Sequence, residues 1–144
     1  MRVMVLGLIV FVAGCAATGA GRTSHVSPWC SMARYMERHG LPDGTEELID
    51  GDSIPNVTRR TGGPALTYPR ALIEAGINGW VVVAFIVTPE GQPSGVRIMA
   101  SSQVEFEPPT LAVIRGSTYQ PPTLEGRSVS VFMCQRVSYT LERR

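Results

Sequence analysis

Hydrophobic positions divide the chain into three stretches of different texture. Residues 3–13 form an unbroken apolar run behind a single positive charge at Arg2. Residues 16–63 are mostly small, polar or turn-forming, and only residues 28–39 carry apolar side chains at helical spacing. From residue 64 onward, apolar runs alternate with turn residues. This pattern predicts an export signal, a helix with a loop extension, and one folded domain.

The folded domain is predicted to contain five elements in the order helix, strand, strand, helix, strand. Pro69 opens the first helix and Gly76 ends it. Residues 89–93 are turn-forming, so the first two strands should form a hairpin. The predicted elements cover residues 68–76, 79–88, 95–101, 106–115 and 127–141. We therefore expect an α+β fold with a three-stranded antiparallel sheet and two helices, preceded by loop with one helical turn at residues 46–49.

The first strand of the domain is apolar on both of its faces. One face carries Val81, Val83, Phe85 and Val87, and the other carries Trp80, Val82, Ala84 and Ile86. An antiparallel sheet with one solvated face would alternate, so something must cover the second face. The candidates are a partner chain and the N-terminal helix over residues 28–39, which presents Trp29, Met32 and Met36.

The first apolar run ends in Val12-Ala13-Gly14-Cys15. A charge followed by about ten apolar residues is typical of an export signal, and the run is shorter than the roughly 20 residues that span a bilayer. The four residues resemble the lipobox of bacterial lipoproteins. The resemblance implies cleavage after residue 14 and membrane anchoring through acyl chains on Cys15; an ordinary secretory signal that contains a cysteine is the alternative.

The lipobox sets expectations for the next segment and for the other cysteines. Residues 15–27 are small and polar, as in a flexible membrane tether. Ala16, where an inner-membrane retention signal usually has Asp, favours the periplasmic face of the outer membrane. In that oxidising compartment Cys30 and Cys134, the remaining cysteines, are predicted to form a disulfide. Two buried free thiols are the alternative.

Charge and motif content argue against several classes of function. Without its first 14 residues the chain has 12 Arg, no Lys and 12 Asp and Glu, and this balance gives no basic patch for nucleic acid. The block Gly51-Asp52-Ser53 is similar to a lipase–esterase motif, but no histidine follows His39 to serve as its base. We therefore expect a protein that is not an enzyme and that uses neither a metal nor a cofactor.

Short motifs follow one another in a fixed order between residues 64 and 142. They are Tyr68-Pro69 and Ala71, then Gly79, Val81, Val83, Phe85 and Val87, then Gly91, then Val96, Ile98, Ser101 and Ser102, and finally Tyr119, Pro121 and Gly126. In this order and spacing they resemble the C-terminal domain of TonB-like proteins. Pro108 and Pro109 depart from that family's pattern, which should shift or shorten the second helix. The resemblance divides the chain into a signal peptide (1–14), a tether (15–27), a helix and loop (28–63) and a TonB-like domain (64–144).

The resemblance implies a small sheet whose edge accepts an extended peptide as a further strand. It does not extend to proton-driven energy coupling, because a lipobox stands in place of an inner-membrane helix and the long Pro-rich spacer is missing. The expected partner is an envelope protein or a polymer such as peptidoglycan; self-association as a homodimer in an envelope assembly is the alternative. The predicted binding residues lie along the last strand: Ser128, Ser130, Phe132, Arg136 and Ser138.

Overall fold

The computed structural model describes residues 5–6, 9–10, 29–45, 47–51 and 58–142, the first two segments by their backbone only. Cys15, the predicted cleavage site and the tether lie outside these residues, and so do Asp52 and Ser53. Within the described ranges, none of the helices combines the length and the apolar character needed to cross a bilayer.

Three helices and ten strands are described, numbered here along the chain. The helices are α1 (Met32–His39), α2 (Arg70–Glu74) and α3 (Glu107–Arg115), the last preceded by a 3-10 turn at Val104–Phe106. The strands are β1 (Val5–Leu6), β2 (Ile9–Val10), β3 (Leu48–Asp50), β4 (Arg60–Gly62), β5 (Gly79–Val87), β6 (Pro93–Ser101), β7 (Thr118–Tyr119), β8 (Thr123–Leu124), β9 (Arg127–Ser128) and β10 (Ser130–Leu141). The α+β class is confirmed.

The main sheet is built on the hairpin and the long strand that the sequence predicts. β5 lies in the middle and pairs antiparallel with β6 on one side and with β10 on the other. The prediction of three strands is wrong, because β1, β2 and β3 also pair with β10 on its far side and make six. A twelve-residue edge strand presents a row of unpaired main-chain groups, and short N-terminal segments satisfy them.

Two local expectations also require correction. Residues 48–50, expected in a helical turn, form the strand β3 parallel to β10. The segment between α3 and β10, expected as loop, contains β7, which pairs with β4, and a small hairpin of β8 and β9. The second helix begins as predicted, because Pro108 and Pro109 occupy its first turn, where the missing amide donors are tolerated.

The face of the sheet beneath α2 and α3, called here the α2/α3 face, carries the larger core. Its buried residues come from both helices and from all three long strands, and include Leu72, Val81, Val83, Phe85, Phe106, Ile114, Val137 and Tyr139. Tyr139 joins β10 to the start of α3, because its hydroxyl lies 2.8 Å from Oγ1 of Thr110 and donates to the main-chain oxygen of Phe106 at 3.2 Å.

The opposite face, called here the α1 face, is covered by the N-terminal helix. α1 begins at Met32 rather than at residue 28, because Ser31 caps it by accepting a hydrogen bond from the main-chain nitrogen of Arg34. The residue that enters the sheet is Tyr35, only 1% exposed. It packs with Ala84, Ile86 and Phe132, and Met32 and Met36 lie around this cluster. Trp29, expected in the contact, precedes the helix and is 47% exposed.

The predicted disulfide is present and ties the start of this helix to the sheet. Cys30 and Cys134 are bonded at an S–S distance of 2.04 Å, with 104 residues of separation along the chain. Cys134 lies on the α1 face of β10, next to the Tyr35 cluster. The helix is therefore held covalently at one end and by apolar contacts along its length.

A candidate binding edge on the last strand

The outer edge of β10, defined as the side away from β5, is the candidate site. The main-chain nitrogen of Leu141 donates to Oδ1 of Asn78, next to β5, at 2.8 Å, so Leu141 points inward. A Cβ placed on Gly51, after β3, would lie 2.6 Å from the main-chain oxygen of Phe132, so Phe132 points outward. Since hydrogen-bonding groups alternate along a strand, the even-numbered residues of β10 direct their N–H and C=O groups to the outer edge.

The first part of this edge is filled by β3. Leu48 is paired with Ser130, and Asp50 with Phe132, in a parallel ladder. Ser130 is 7% exposed and Phe132 is 3% exposed. A further strand could bind here only by displacing β3.

The second part of the edge, residues 136–141, pairs with β1 and β2. Val10 lies opposite Arg136, and Leu6 lies opposite Thr140. Both short strands share one antiparallel register, since a four-residue step along β10 matches a four-residue step back along the N-terminal segment. This part of the edge is therefore shaped to receive a single extended antiparallel segment.

The predicted binding residues fall into three different environments. Ser128 is exposed and belongs to β9, where it pairs with Thr123 away from the main sheet. Ser130 and Phe132 are buried beside β3, as described above. Arg136 and Ser138 lie on the second part of the edge, on the α1 face. The structure therefore brings only two of the five residues to the part of β10 that pairs with β1 and β2.

Arg136 has a defined position on this face. Its guanidinium lies 5.0 Å from the centre of the Trp80 ring, within the range of a cation–π contact. Trp80 is half-buried, and it lies opposite Ser138 in the β5–β10 ladder. The pair covers the end of the sheet that the Tyr35 cluster leaves open.

Gln135 is a residue of this edge that sequence reasoning missed. It points to the α2/α3 face between Met133 and Val137 and is 4% exposed. Among the described residues, neither Oε1 nor Nε2 of Gln135 has a hydrogen-bond partner. A polar residue within an otherwise apolar alternation from Val129 to Leu141 was the available indication.

The titrating groups close to this frame serve packing rather than acid–base chemistry. Burial raises the pKa of Tyr139 to about 12, although the hydrogen bond with Thr110 opposes the shift. Burial also raises the pKa of Tyr119 to about 12, against the nearby charge of Arg60. Throughout the described ranges, no three His, Cys, Asp or Glu side chains converge to hold a metal. The arrangement offers hydrogen-bonding backbone and shape.

Comparison with solved structures gives a match to a solution NMR structure of the TonB C-terminal domain of Pseudomonas aeruginosa. The two are 20% identical, the match covers 60% of this chain and 89% of that chain, and the TM-score is 0.49. A search of curated proteins gives no significant match.

A family model described as the C-terminal region of the Gram-negative bacterial TonB protein matches residues 64–141. That range is more than half of the chain, and it runs from the loop before α2 to the last residue of β10. Domains of this family mediate protein–protein interactions in the bacterial envelope. The family resemblance seen in the sequence is therefore confirmed, and the chain belongs to the TonB C-terminal domain family.

Proposed function

We propose that this protein is a lipid-anchored envelope lipoprotein that binds an extended segment of an envelope protein along residues 136–141 of β10. The acyl chains on Cys15 hold it at the periplasmic face of the outer membrane, and residues 15–27 act as the tether. The bound segment adds to the sheet as an antiparallel strand. Energy coupling is not part of this function, since the lipobox occupies the place of an inner-membrane helix.

One observation carries the proposal. β1 and β2, which pair with residues 136–141, lie within the predicted signal peptide of residues 1–14. Cleavage before Cys15 would remove both strands. The outward N–H and C=O groups of Arg136, Ser138 and Thr140 would then lack a strand partner, whereas β3 would stay in place. The mature protein would present a short, pre-formed edge of the kind that recruits another strand.

The frame around that edge suits strand addition. Six residues at about 3.3 Å each give an edge of roughly 20 Å. β10 is held rigidly behind it by nine paired residues of β5 and by the Cys30–Cys134 disulfide. A rigid edge means that less conformational entropy is lost on binding. Main-chain hydrogen bonds supply affinity in this mode, and the side chains beside the edge supply specificity.

A second copy of the chain is the alternative occupant. Two molecules related by a two-fold axis can pair the same strand with itself, because such an axis makes the two β10 strands antiparallel. This is the orientation in which β1 and β2 pair with residues 136–141. Self-association would make the protein a structural lipoprotein of an envelope assembly.

Photo-crosslinking in cells tests the proposal. A photoreactive residue at Thr140, on the proposed edge, should form a crosslink to an envelope protein in the processed lipoprotein. The matched control is Glu90, which is exposed in the turn between β5 and β6 and should form none. A crosslinked species of twice the protein's own mass would favour self-association. Equal crosslinking from Thr140 and Glu90 would contradict a specific site at the edge.

A further inference from the structure

Gln135 has a buried polar side chain that its surroundings do not satisfy. It is 4% exposed, and within the described part of the chain both of its amide atoms lack a hydrogen-bond partner. Leaving a buried amide unpaired is unfavourable, and an apolar side chain of similar volume avoids that penalty. A leucine or methionine would suit the neighbouring Met133 and Val137 better. Packing therefore gives no reason for a carboxamide at this position.

The place of Gln135 in the outer ladder gives such a reason. Its main-chain groups point inward to β5, where it pairs with Val83, so it occupies a non-hydrogen-bonded position of the outer edge. At such positions facing Cα atoms are about 4.5 Å apart and their side chains are closest. Gln135 lies between the last residue paired with β3, Phe132, and the first paired with β2, Arg136. A strand in the β1–β2 register that extends one residue past Arg136 brings a side chain directly beside it.

We propose that Gln135 selects the sequence of the docked strand, by hydrogen bonding to a hydroxyl or carboxamide on the residue that faces it. This inference rests on the proposed function, because it requires a strand at residues 136–141. The partner is then an extended antiparallel segment with Thr, Ser, Asn or Gln opposite Gln135. Opposite Val137 and Tyr139, which are both 1% exposed on the α2/α3 face, its side chains are apolar.

A peptide series can test this selection. Each fluorescent peptide has the sequence of residues 5–10, Val-Leu-Gly-Leu-Ile-Val, then one variable residue and two arginines for solubility. In the β1–β2 register the variable residue faces Gln135. Threonine and valine form the matched pair, since they have nearly the same shape and differ by a hydroxyl. Asparagine supplies both a donor and an acceptor.

Binding is measured by fluorescence anisotropy with the processed lipoprotein, extracted from membranes in mild detergent. The threonine and asparagine peptides should bind about three- to tenfold more tightly than the valine peptide, as expected for one net hydrogen bond. Gln135→Leu should abolish or reverse this preference, and it should bind the valine peptide at least as well as the wild type does. Gln135→Met serves as a second variant if the leucine variant loses its native circular dichroism.

The outcomes separate the two proposals. Equal binding of the threonine and valine peptides to the wild type would overturn the role of Gln135 and leave strand addition intact. A preference that persists in both Gln135 variants would do the same. If no peptide binds even at millimolar concentration, the inference and the proposed function fall together.

Discussion

The hydroxyl of Tyr35 donates a hydrogen bond to the main-chain oxygen of Gly95 and so joins α1 to β6, 60 residues further along the chain. Gly95 has a φ of 57°, and a Cβ at this position would lie 2.2 Å from the Tyr35 hydroxyl oxygen. The glycine is required both by its left-handed backbone conformation and by the close approach of the tyrosine. The same contact buries Tyr35 against Phe132, with their ring centroids 5.4 Å apart.

The coupling of these two residues can be measured by a double-mutant cycle. Tyr35→Phe should lower the free energy of unfolding by about 1 kcal/mol, because the Gly95 oxygen loses its donor. Gly95→Ala should lower it by about 1–3 kcal/mol through backbone strain and the clash with the hydroxyl. The double variant should lose less than the sum, since removing the hydroxyl relieves part of the clash. Strict additivity in urea denaturation would show that the two residues do not interact.

The disulfide should contribute strongly to stability. In the chain-entropy model, a bridge between residues 104 apart stabilises the folded state by roughly 4–5 kcal/mol. Cys30→Ala with Cys134→Ala should therefore lower the unfolding temperature markedly and expose the Tyr35 cluster, seen as increased binding of an apolar dye. The wild type treated with reductant under native conditions is the control for an effect of the substitutions themselves. An unfolding temperature unchanged in the double variant would show that α1 is held by packing alone.

Stability should fall steeply above pH 10. An unfolded tyrosine titrates near 10, whereas burial raises the pKa of Tyr139 to about 12. Between these values the unfolded chain releases a proton that the folded chain keeps. The free energy of unfolding therefore falls as pH rises, by at most about 2–3 kcal/mol for this residue. Below pH 10 the phenol is protonated in both states, and its contribution is fully present.

Tyr139→Phe tests that assignment. At pH 7 the variant should be less stable by about 1 kcal/mol, because Thr110 loses its partner. Between pH 10 and 12 it should lose less stability than the wild type, although Tyr119, with its pKa also raised to about 12, still contributes a fall. Urea denaturation at pH 7, 10 and 11 gives both quantities. Parallel alkaline losses in the two proteins would contradict the assignment.

The membrane anchor predicts the behaviour of Cys15→Ser. The wild type should partition into detergent with a mature N-terminus at residue 15 that carries acyl chains. The variant should appear as an unprocessed precursor or as a soluble form, because two or more acyl chains are needed for stable anchoring. Mass spectrometry of the N-terminal peptide decides the matter. An unmodified cysteine, or a mature N-terminus at any other residue, would contradict the lipoprotein assignment.

Much of the domain could be predicted because its signals are local. The apolar run of β5, the turn residues after it and the prolines at the start of α3 each specify their own conformation. The family motifs then gave the order of the elements. β3 could not be predicted in this way, since three residues carry no period and their extended form depends on pairing with the distant β10.

The site was predicted only in part, for physical reasons that differ by residue. Alternation along β10 indicated which side chains share a face, but not which length of its edge β3 would fill, so Ser130 was assigned to a surface that is buried. Trp29 was expected in the sheet contact because the helix was expected to start before it, whereas the Ser31 cap excludes it. Tyr35 takes that place, three residues after Met32 on the same helical face.

The central claim is that residues 136–141 accept a strand, and substitution at Ser138 tests it most directly. Ser138→Pro removes a main-chain N–H that points to the outer edge, and it does not touch the hydrogen bonds to β5. Ser138→Ala changes the side chain and keeps that N–H. Circular dichroism and the unfolding temperature must first show that both variants remain folded.

The measurement is the amount of envelope partner recovered with each purified lipoprotein after crosslinking through Thr140. We predict that Ser138→Ala retains the wild-type amount and that Ser138→Pro loses at least nine-tenths of it, as the loss of one or more edge hydrogen bonds and a clash with the incoming strand together imply (about 1.4 kcal/mol per tenfold change). Undiminished recovery with a folded Ser138→Pro variant would contradict strand addition at this edge.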